Sequence, residues 1–446
     1  MVDSAQTVTE ALAAVAAELA DQRLAPVDAD AVDRAILDWL GVAIGGSGTT
    51  VAAALTAGFG GSGSSRIVGT SSTRDPSVAA LINGTAAHAL ELDDIYAPGL
   101  FHPGAPVVAA ALAMADHVGA TWAEMRRAVL IGYEVGCRVA ADLGPDHYLR
   151  WHTTGTAGAP AAAAAAAVLM GADHDQTADA LGLAATMAGG LQQTFRSDAM
   201  GKPLHAGHAA QAGVVAAIAA VGGVSGARDA LEGDAGLGAA TGAPSTWRTS
   251  RAGLQGPLAI QRITVKPYPC CGHTFAVIDA VRQLRGLGIE ARDVQRVVVA
   301  AYTTAIRTAG ITQPRTPAEA RFSIPYLVAA GWLDEHVGER SFDAARLDEP
   351  DRVALLRLVE MTPSAELDAA FPARRGGSVA VWTADRHEVV TVPDRLGSPE
   401  NPLSAEAIDA KFVATVERQA PGRSDAVLAA FRELAPGDPV AALAVA

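Results

Sequence analysis

The stretch His88-Ala-Leu-Glu-Leu-Asp-Asp94 sets three carboxylates behind a histidine, and a second histidine follows in His102-Pro-Gly104. Paired carboxylates beside an imidazole suit proton abstraction next to a carboxylate, because one group must take a proton and another must deliver one. His152, His205 and two lysines extend the set, in Trp151-His-Thr-Thr-Gly155, Lys202-Pro-Leu-His205 and Val265-Lys-Pro-Tyr-Pro-Cys-Cys-Gly272. Of 34 basic residues only Lys202, Lys266 and Lys411 are lysines, and the first two directly precede a proline that fixes an extended or turn conformation. A compact ammonium is not interchangeable with a guanidinium, which is a reason for so arginine-rich a chain to keep lysine at a site. His205 and His208 stand one helical turn apart, a spacing able to hold a metal. No third ligand recurs in a recognisable pattern, so packing or substrate contact is the favoured reading.

The elements around these residues read mostly as helices. Asp75-Pro76 supplies an N-cap and a first-turn proline for a helix running to about Glu91, which leaves the acids at its exit. Helices follow at about 104–118 and 122–143, the second opened by the capping box Thr121-Trp-Ala-Glu124. His152 stands just before another helix start, a position that favours anions and lowers the proton affinity of an imidazole. Nearer the start, Asp28 or Asp30 is expected to cap a helix ended by Gly45-Gly46. Residues 58–63, Gly-Phe-Gly-Gly-Ser-Gly, match a dinucleotide fingerprint by letter, yet no buried strand precedes them and they are expected to form a loop.

The pattern changes near Leu258. Residues 259–265 and 294–300 read as strands separated by a helix of about 274–286. A helix of about 316–337 carries Tyr326, residues 377–382 and 388–392 read as a hairpin, and the tail from Ser404 is helical again. The expected fold is mainly α: a large helical domain built from residues 1–262 and 395–446, with an inserted smaller α+β domain of residues 263–394.

Composition supports helices and narrows the function. Half of the 446 residues are hydrophobic but only 5% are aromatic, a surplus of alanine and glycine that favours closely packed helices. A net charge of −14 without a basic run argues against nucleic acid or an anionic membrane as partner. The N-terminus lacks the basic start and apolar core of a signal peptide, and the alanine-rich run 157–172 is interrupted by Gly158 and Pro160. A cytoplasmic protein with no membrane span is expected. Three cysteines, Cys137 and the adjacent pair Cys270 and Cys271, give neither a disulfide framework nor a zinc or iron–sulfur pattern. No metal and no cofactor are expected.

Taken together the motifs resemble the MmgE/PrpD family, which includes 2-methylcitrate dehydratase, cis-aconitate decarboxylase and iminodisuccinate epimerase. The resemblance rests on Asn83-Gly-Thr-Ala-Ala-His-Ala-Leu-Glu-Leu-Asp-Asp94, His102-Pro-Gly104, Gly132-Tyr-Glu-Val135, His152-Thr-Thr-Gly155, Lys202-Pro-Leu-His-Ala-Gly207, Lys266-Pro-Tyr-Pro-Cys-Cys-Gly272 and Arg321-Phe-Ser323 with Tyr326. It implies a homodimer and a cofactor-independent site with Asp93, His102, His152, Lys202, Lys266 and Tyr326 as catalytic residues. Glu91, Ile95, His205 and Cys271 would contact a small anionic carboxylate substrate. The implied activity is a lyase that eliminates water from, or adds it to, a hydroxy-polycarboxylate such as a 2-methylcitrate-like acid. An epimerase of an amino- or imino-dicarboxylate, a cis-aconitate-type decarboxylase and a non-catalytic binding homologue are the alternatives. Ile95 stands where many members carry a threonine and Glu91 where decarboxylase relatives carry an aspartate, which puts the standard citrate-like substrates in question.

Overall fold

The computed structural model describes residues 6–196, 199–242 and 246–445. The chain divides into two compact units, Met1–Val265 with Ser404–Ala446 and Lys266–Leu403. The first part of the helical unit comprises α1 (Val8–Asp21), α2 (Pro26–Gly46), α3 (Thr50–Gly58), α4 (Pro76–His88), α5 (Gly104–Val118) and α6 (Trp122–Tyr148). It continues with α7 (Thr153–Thr156), α8 (Gly158–Leu169), α9 (His174–Met187), α10 (Gly201–Val221), α11 (Leu237–Ala240) and α12 (Arg248–Arg251). Two short antiparallel pairs interrupt these helices, β1 (Ser65–Arg66) with β2 (Thr73–Arg74) and β3 (Ile95–Tyr96) with β4 (Ile263–Thr264).

Local chemistry sets the helix starts. Capping boxes open α1 (Thr7 with Glu10), α6 (Thr121 with Glu124) and α9 (Asp173 with Gln176), and the Asp75 side chain accepts from the Ser77 amide at the head of α4. The alanine run forms α8, buried along most of its length and packed on α5, α6, α9 and α10. Such short side chains let helix axes approach closely. Gly84 of α4 faces Gly207 of α10, and a Cβ added at Gly84 would meet the Gly207 Cα at 3.0 Å and the Ala105 carbonyl oxygen at 3.2 Å. Gly84→Val is therefore expected to lower unfolding stability by about 3 kcal/mol through overpacking, measured by denaturant titration. Between Gly41 of α2 and Phe412 in the tail the fit is equally close.

The second unit contains α13 (Phe275–Gly286), β5 (Arg296–Ala301), α14 (Thr303–Ala309), α15 (Pro317–Ala320), α16 (Ile324–Leu333), α17 (Pro350–Leu356), β6 (Val359–Pro363), α18 (Ala365–Ala370), β7 (Gly377–Trp382) and β8 (His387–Val392). Its sheet runs β6-β5-β7-β8, with β5 parallel to β6 and antiparallel to β7, and β7 and β8 joined as a hairpin. Alternate residues Val297, Val299, Val379 and Val381 turn one face onto Val277, Val281 and Leu284 of α13 and Val328 of α16. The chain then returns to the helical unit as α19 (Ala405–Gln419) and α20 (Ser424–Glu433). There Lys411 lies 2.5 Å from Asp38 of α2 and donates to the Leu92 carbonyl at 2.9 Å, so the third lysine is a structural tie.

Several elements depart from the sequence reading. Helix α4 ends at His88, one turn before Glu91. Neither Asp28 nor Asp30 caps α2, which begins at Pro26 with Ala25 as N-cap; Asp28 instead accepts from the side-chain Nε2 of Gln261. Residues 259–262 form a 3-10 turn, because the Ala259 amide donates to Glu134 at 2.7 Å rather than to a neighbouring strand, and only Ile263 and Thr264 pair. The helix expected at 316–337 breaks at 321–323, where the Ser323 hydroxyl caps α16. Residues 395–403 stay with the sheet unit, held as Arg395 donates to the Gly272 carbonyl and the Leu396 amide to Asp279.

Candidate functional site

Four histidines of the helical unit come together from four segments of the chain. His88 ends α4, His102 precedes α5, His152 is the N-cap of α7 and His205 lies in the first turns of α10. The His88 ring stacks on His152 with centroids 5.3 Å apart and meets His102 edge-on at 4.9 Å. His152 Nδ1 lies 3.3 Å from His205 Nδ1, so one of the two rings donates its Nδ1–H as a hydrogen bond to the other. Phe195 closes this row, 5.0 Å from His152, and the Lys202 ammonium sits over its face at 5.3 Å.

Asp93 is the acid of the cluster. Its Oδ2 lies 2.6 Å from His88 Nδ1 and 3.3 Å from His102 Nδ1, so one carboxylate oxygen serves both imidazoles. Burial pushes the Asp93 carboxyl up, but the charges and hydrogen bonds of His88 and His102 outweigh it and hold Asp93 well below the usual carboxylate range. A carboxylate bound at Nδ1 fixes the tautomer and leaves Nε2 as the proton-accepting atom. His152 is fully buried. Burial, reinforced by His88 and Lys202, holds it well below its ordinary range, and burial with His88 brings His205 down to about 4. Both are neutral at neutral pH and suit polarising or donating roles more than accepting a proton.

His88, Asp93 and His102 each offer a ligand atom within 4.8 Å of the others, the spacing of a three-ligand metal site. The 2.6 Å separation of His88 Nδ1 and Asp93 Oδ2 is that of a strong hydrogen bond. Two ligands bonded at roughly 2.0 Å to one tetrahedral ion would stand roughly 3 Å apart. The pair as it stands fits a shared proton rather than an ion.

The loop carrying these acids is pinned at both ends. Glu91 takes left-handed backbone (φ 56°), a conformation that costs a non-glycine residue on the order of 1 kcal/mol, and its carboxylate pairs with the Lys202 ammonium. Asp94 accepts from the Gly104 amide at 2.9 Å and from the Tyr133 hydroxyl at 2.7 Å, tying the acid segment to the start of α5 just after His102. Ile95 is buried in β3.

Of the residues expected from sequence, Asp93, His102, His152, His205, Lys202 and Glu91 gather in the helical unit. Lys266, Cys271 and Tyr326 belong to the sheet unit. Lys266 and Cys271 are buried there, and the Cys271 amide donates to the Arg321 carbonyl at 3.0 Å. Tyr326 lies in that unit's core with Arg352 over its ring, and its hydroxyl donates to the Ser341 carbonyl at 2.5 Å. His208, one turn from His205, is exposed and does not share the His205 contact. Sequence reasoning placed His88 beside the acids without naming it among the catalytic residues, and left Phe195 out. His88 stands five residues before Asp93, but only the break of α4 brings the two together; nothing in the local sequence marks Phe195.

A buried carboxylate shared by two imidazoles, a row of neutral histidines and a lysine beside an aromatic ring define an acid–base enzyme site in a mainly helical protein. Residues 10–250 match the MmgE/PrpD N-terminal domain and residues 268–434 the MmgE/PrpD C-terminal domain. The chain therefore belongs to the MmgE/PrpD family and is an enzyme of its lyase type. It is similar to a cis-aconitate decarboxylase of Aspergillus terreus, 26% identical over 419 residues, which cover 86% of this chain and 85% of the relative. The human cis-aconitate decarboxylase is 28% identical over 300 residues, 64% of this chain and 61% of the relative. For the mouse enzyme of that name the identity is 27% over 347 residues, 74% and 70% of the two chains.

Proposed function

We propose that this enzyme is a cofactor-independent lyase that moves a proton at a carbon next to a carboxylate of a small polycarboxylate. The observation that carries the reading is Asp93 between His88 and His102, of which His88 is buried and His102 partly exposed. Named relatives make decarboxylation of a cis-aconitate-like acid the first reaction to test, ahead of the dehydration expected from the sequence. In decarboxylation the bond to one carboxylate breaks and carbon dioxide leaves. The electron pair moves through the double bond, and protonated His102 delivers a proton to the carbon at its far end. In dehydration neutral His102 takes the α-proton and hydroxide leaves with a proton from a neighbouring donor. Either way negative charge develops beside the remaining carboxylates, where Lys202 stabilises it and neutral His152 donates a hydrogen bond. Tyr326 takes no step, since its hydroxyl is committed to Ser341.

Proton NMR in deuterium oxide with cis-aconitate, citrate, 2-methylcitrate, malate-type and amino-dicarboxylate acids tests the reading. A vinyl product with deuterium beside it and carbon dioxide release is the decarboxylase outcome, and vinyl product without carbon loss is the dehydratase outcome. Deuterium at an inverted centre with neither change would replace the lyase reading by an epimerase. Lys202→Met is expected to lower kcat/KM by about a hundredfold while the protein stays folded. Near-normal turnover in that variant would remove Lys202 from the mechanism.

A further inference from the structure

The partner of Lys202 within its own unit is a carboxylate of the protein. Glu91 and Lys202 are each about 15% exposed (16% and 15%), so their ion pair is sheltered but reachable from solvent. Glu91 reaches the ammonium from left-handed backbone, a conformation that persists in a non-glycine residue only where the surroundings over-determine it. Both features place a carboxylate where the proposed mechanism seats one of the substrate's. The Lys202 ammonium lies over Phe195, which in turn packs on His152, so the pair borders the histidine cluster directly.

We propose that Glu91 is an internal occupant of the carboxylate seat at Lys202 and sets which acids the enzyme accepts. The inference rests on the reading of Lys202 as a holder of a substrate carboxylate. A second carboxylate brought to the same ammonium meets the repulsion of the first in a setting where water screens charges poorly. The incoming acid must therefore displace Glu91 from Lys202, and every further negative charge it carries near the pair weakens binding. The seat discriminates by charge: it disfavours a tricarboxylate relative to a dicarboxylate of the same length, and Glu91 is the residue that makes the difference. A plain tether would behave oppositely, since Glu91 would then hold Lys202 in place and its loss would loosen the seat.

The test uses the full chain and a saturated, unreactive probe, propane-1,2,3-tricarboxylate, titrated by calorimetry into wild type, Glu91→Gln and Glu91→Ala, each first shown to melt as wild type does. Both variants are expected to bind the probe about tenfold more tightly, with a smaller gain for the matching dicarboxylate, pentanedioate. In turnover of a tricarboxylate substrate, KM should fall to a similar degree without a matching fall in kcat. Unchanged or weaker probe binding in both variants overturns the inference and assigns Glu91 the tether. The two readings separate cleanly. Tighter probe binding by the variants of an enzyme that turns over none of the acids in the panel keeps the seat and sinks the lyase; unchanged binding by variants of an active lyase does the reverse.

Discussion

Asp93→Asn is expected to lower kcat by about a thousandfold or more while the protein still melts cooperatively. The carboxylate accepts from His88 at 2.6 Å and stands 3.3 Å from His102 Nδ1, both through the same oxygen. An amide presents one acceptor and one donor to two imidazoles that both need an acceptor, so at least one ring must change tautomer. If that ring is His102, its Nε2 carries the proton and can no longer accept one. Loss of the opposite charge also removes the electrostatic support for a protonated His102, which decarboxylation needs as its proton source. A substitution that preserves shape but imposes the wrong tautomer costs about 10⁴ in kcat in serine proteases, the closest measured parallel. Steady-state kinetics gives the magnitude, and nitrogen-15 chemical shifts of the His102 ring report the tautomer separately. A loss under tenfold would mean that Asp93 does not orient the base.

Much of the frame was legible because it is written in neighbouring residues. Asp75-Pro76 and Thr121 with Glu124 act over three or four positions, and the alternating valines of β7 show their period within six. What escaped depends on partners far along the chain. The strand β6 pairs with β5, 62 residues away in register, and its alternation lasts only four residues before the exposed Pro363. Residues 259–262 read as β by composition, yet Glu134 claims the Ala259 amide across 125 positions. The site shows the same division. Motifs located Asp93, His102, His152 and Lys202 one by one, but the stacking of His88 on His152 and the pairing of Glu91 with Lys202 across 111 positions follow from how α4, α7 and α10 pack. The alanines and glycines that make this packing close are a compositional signal; which residues they bring together is not.

The two adjacent acids should also separate in their effect on stability. Burial pushes Asp94 up to about 7, with Asp93 beside it adding repulsion that the hydrogen bonds from Tyr133 and Gly104 offset only in part. The folded state thus binds this proton more tightly than the unfolded state, whose carboxyl titrates near the ordinary value of about 3.9. Its contribution to stability is fully present below about pH 4 and is lost as pH rises through 7, a difference of about 4 kcal/mol for roughly three pKa units. Asp93 works in the other direction. Its folded pKa lies well below the usual range, so its contribution is present above about pH 4 and lost only as pH falls further. Because the two windows do not overlap, wild type compared with Asp94→Asn isolates the first. Asparagine can still accept from the Gly104 amide, and the Tyr133 hydroxyl can turn to accept from its NH2 group, so the contacts survive while the charge cannot form. Denaturant titrations at intervals from pH 5 to 8 should show wild type losing stability relative to Asp94→Asn as pH rises, with most of the divergence complete by pH 7. Parallel curves across that range would mean that Asp94 is ionised in the folded protein throughout, and that the amide of Gly104 and the hydroxyl of Tyr133 are enough to hold a buried anion at the head of the helix behind His102.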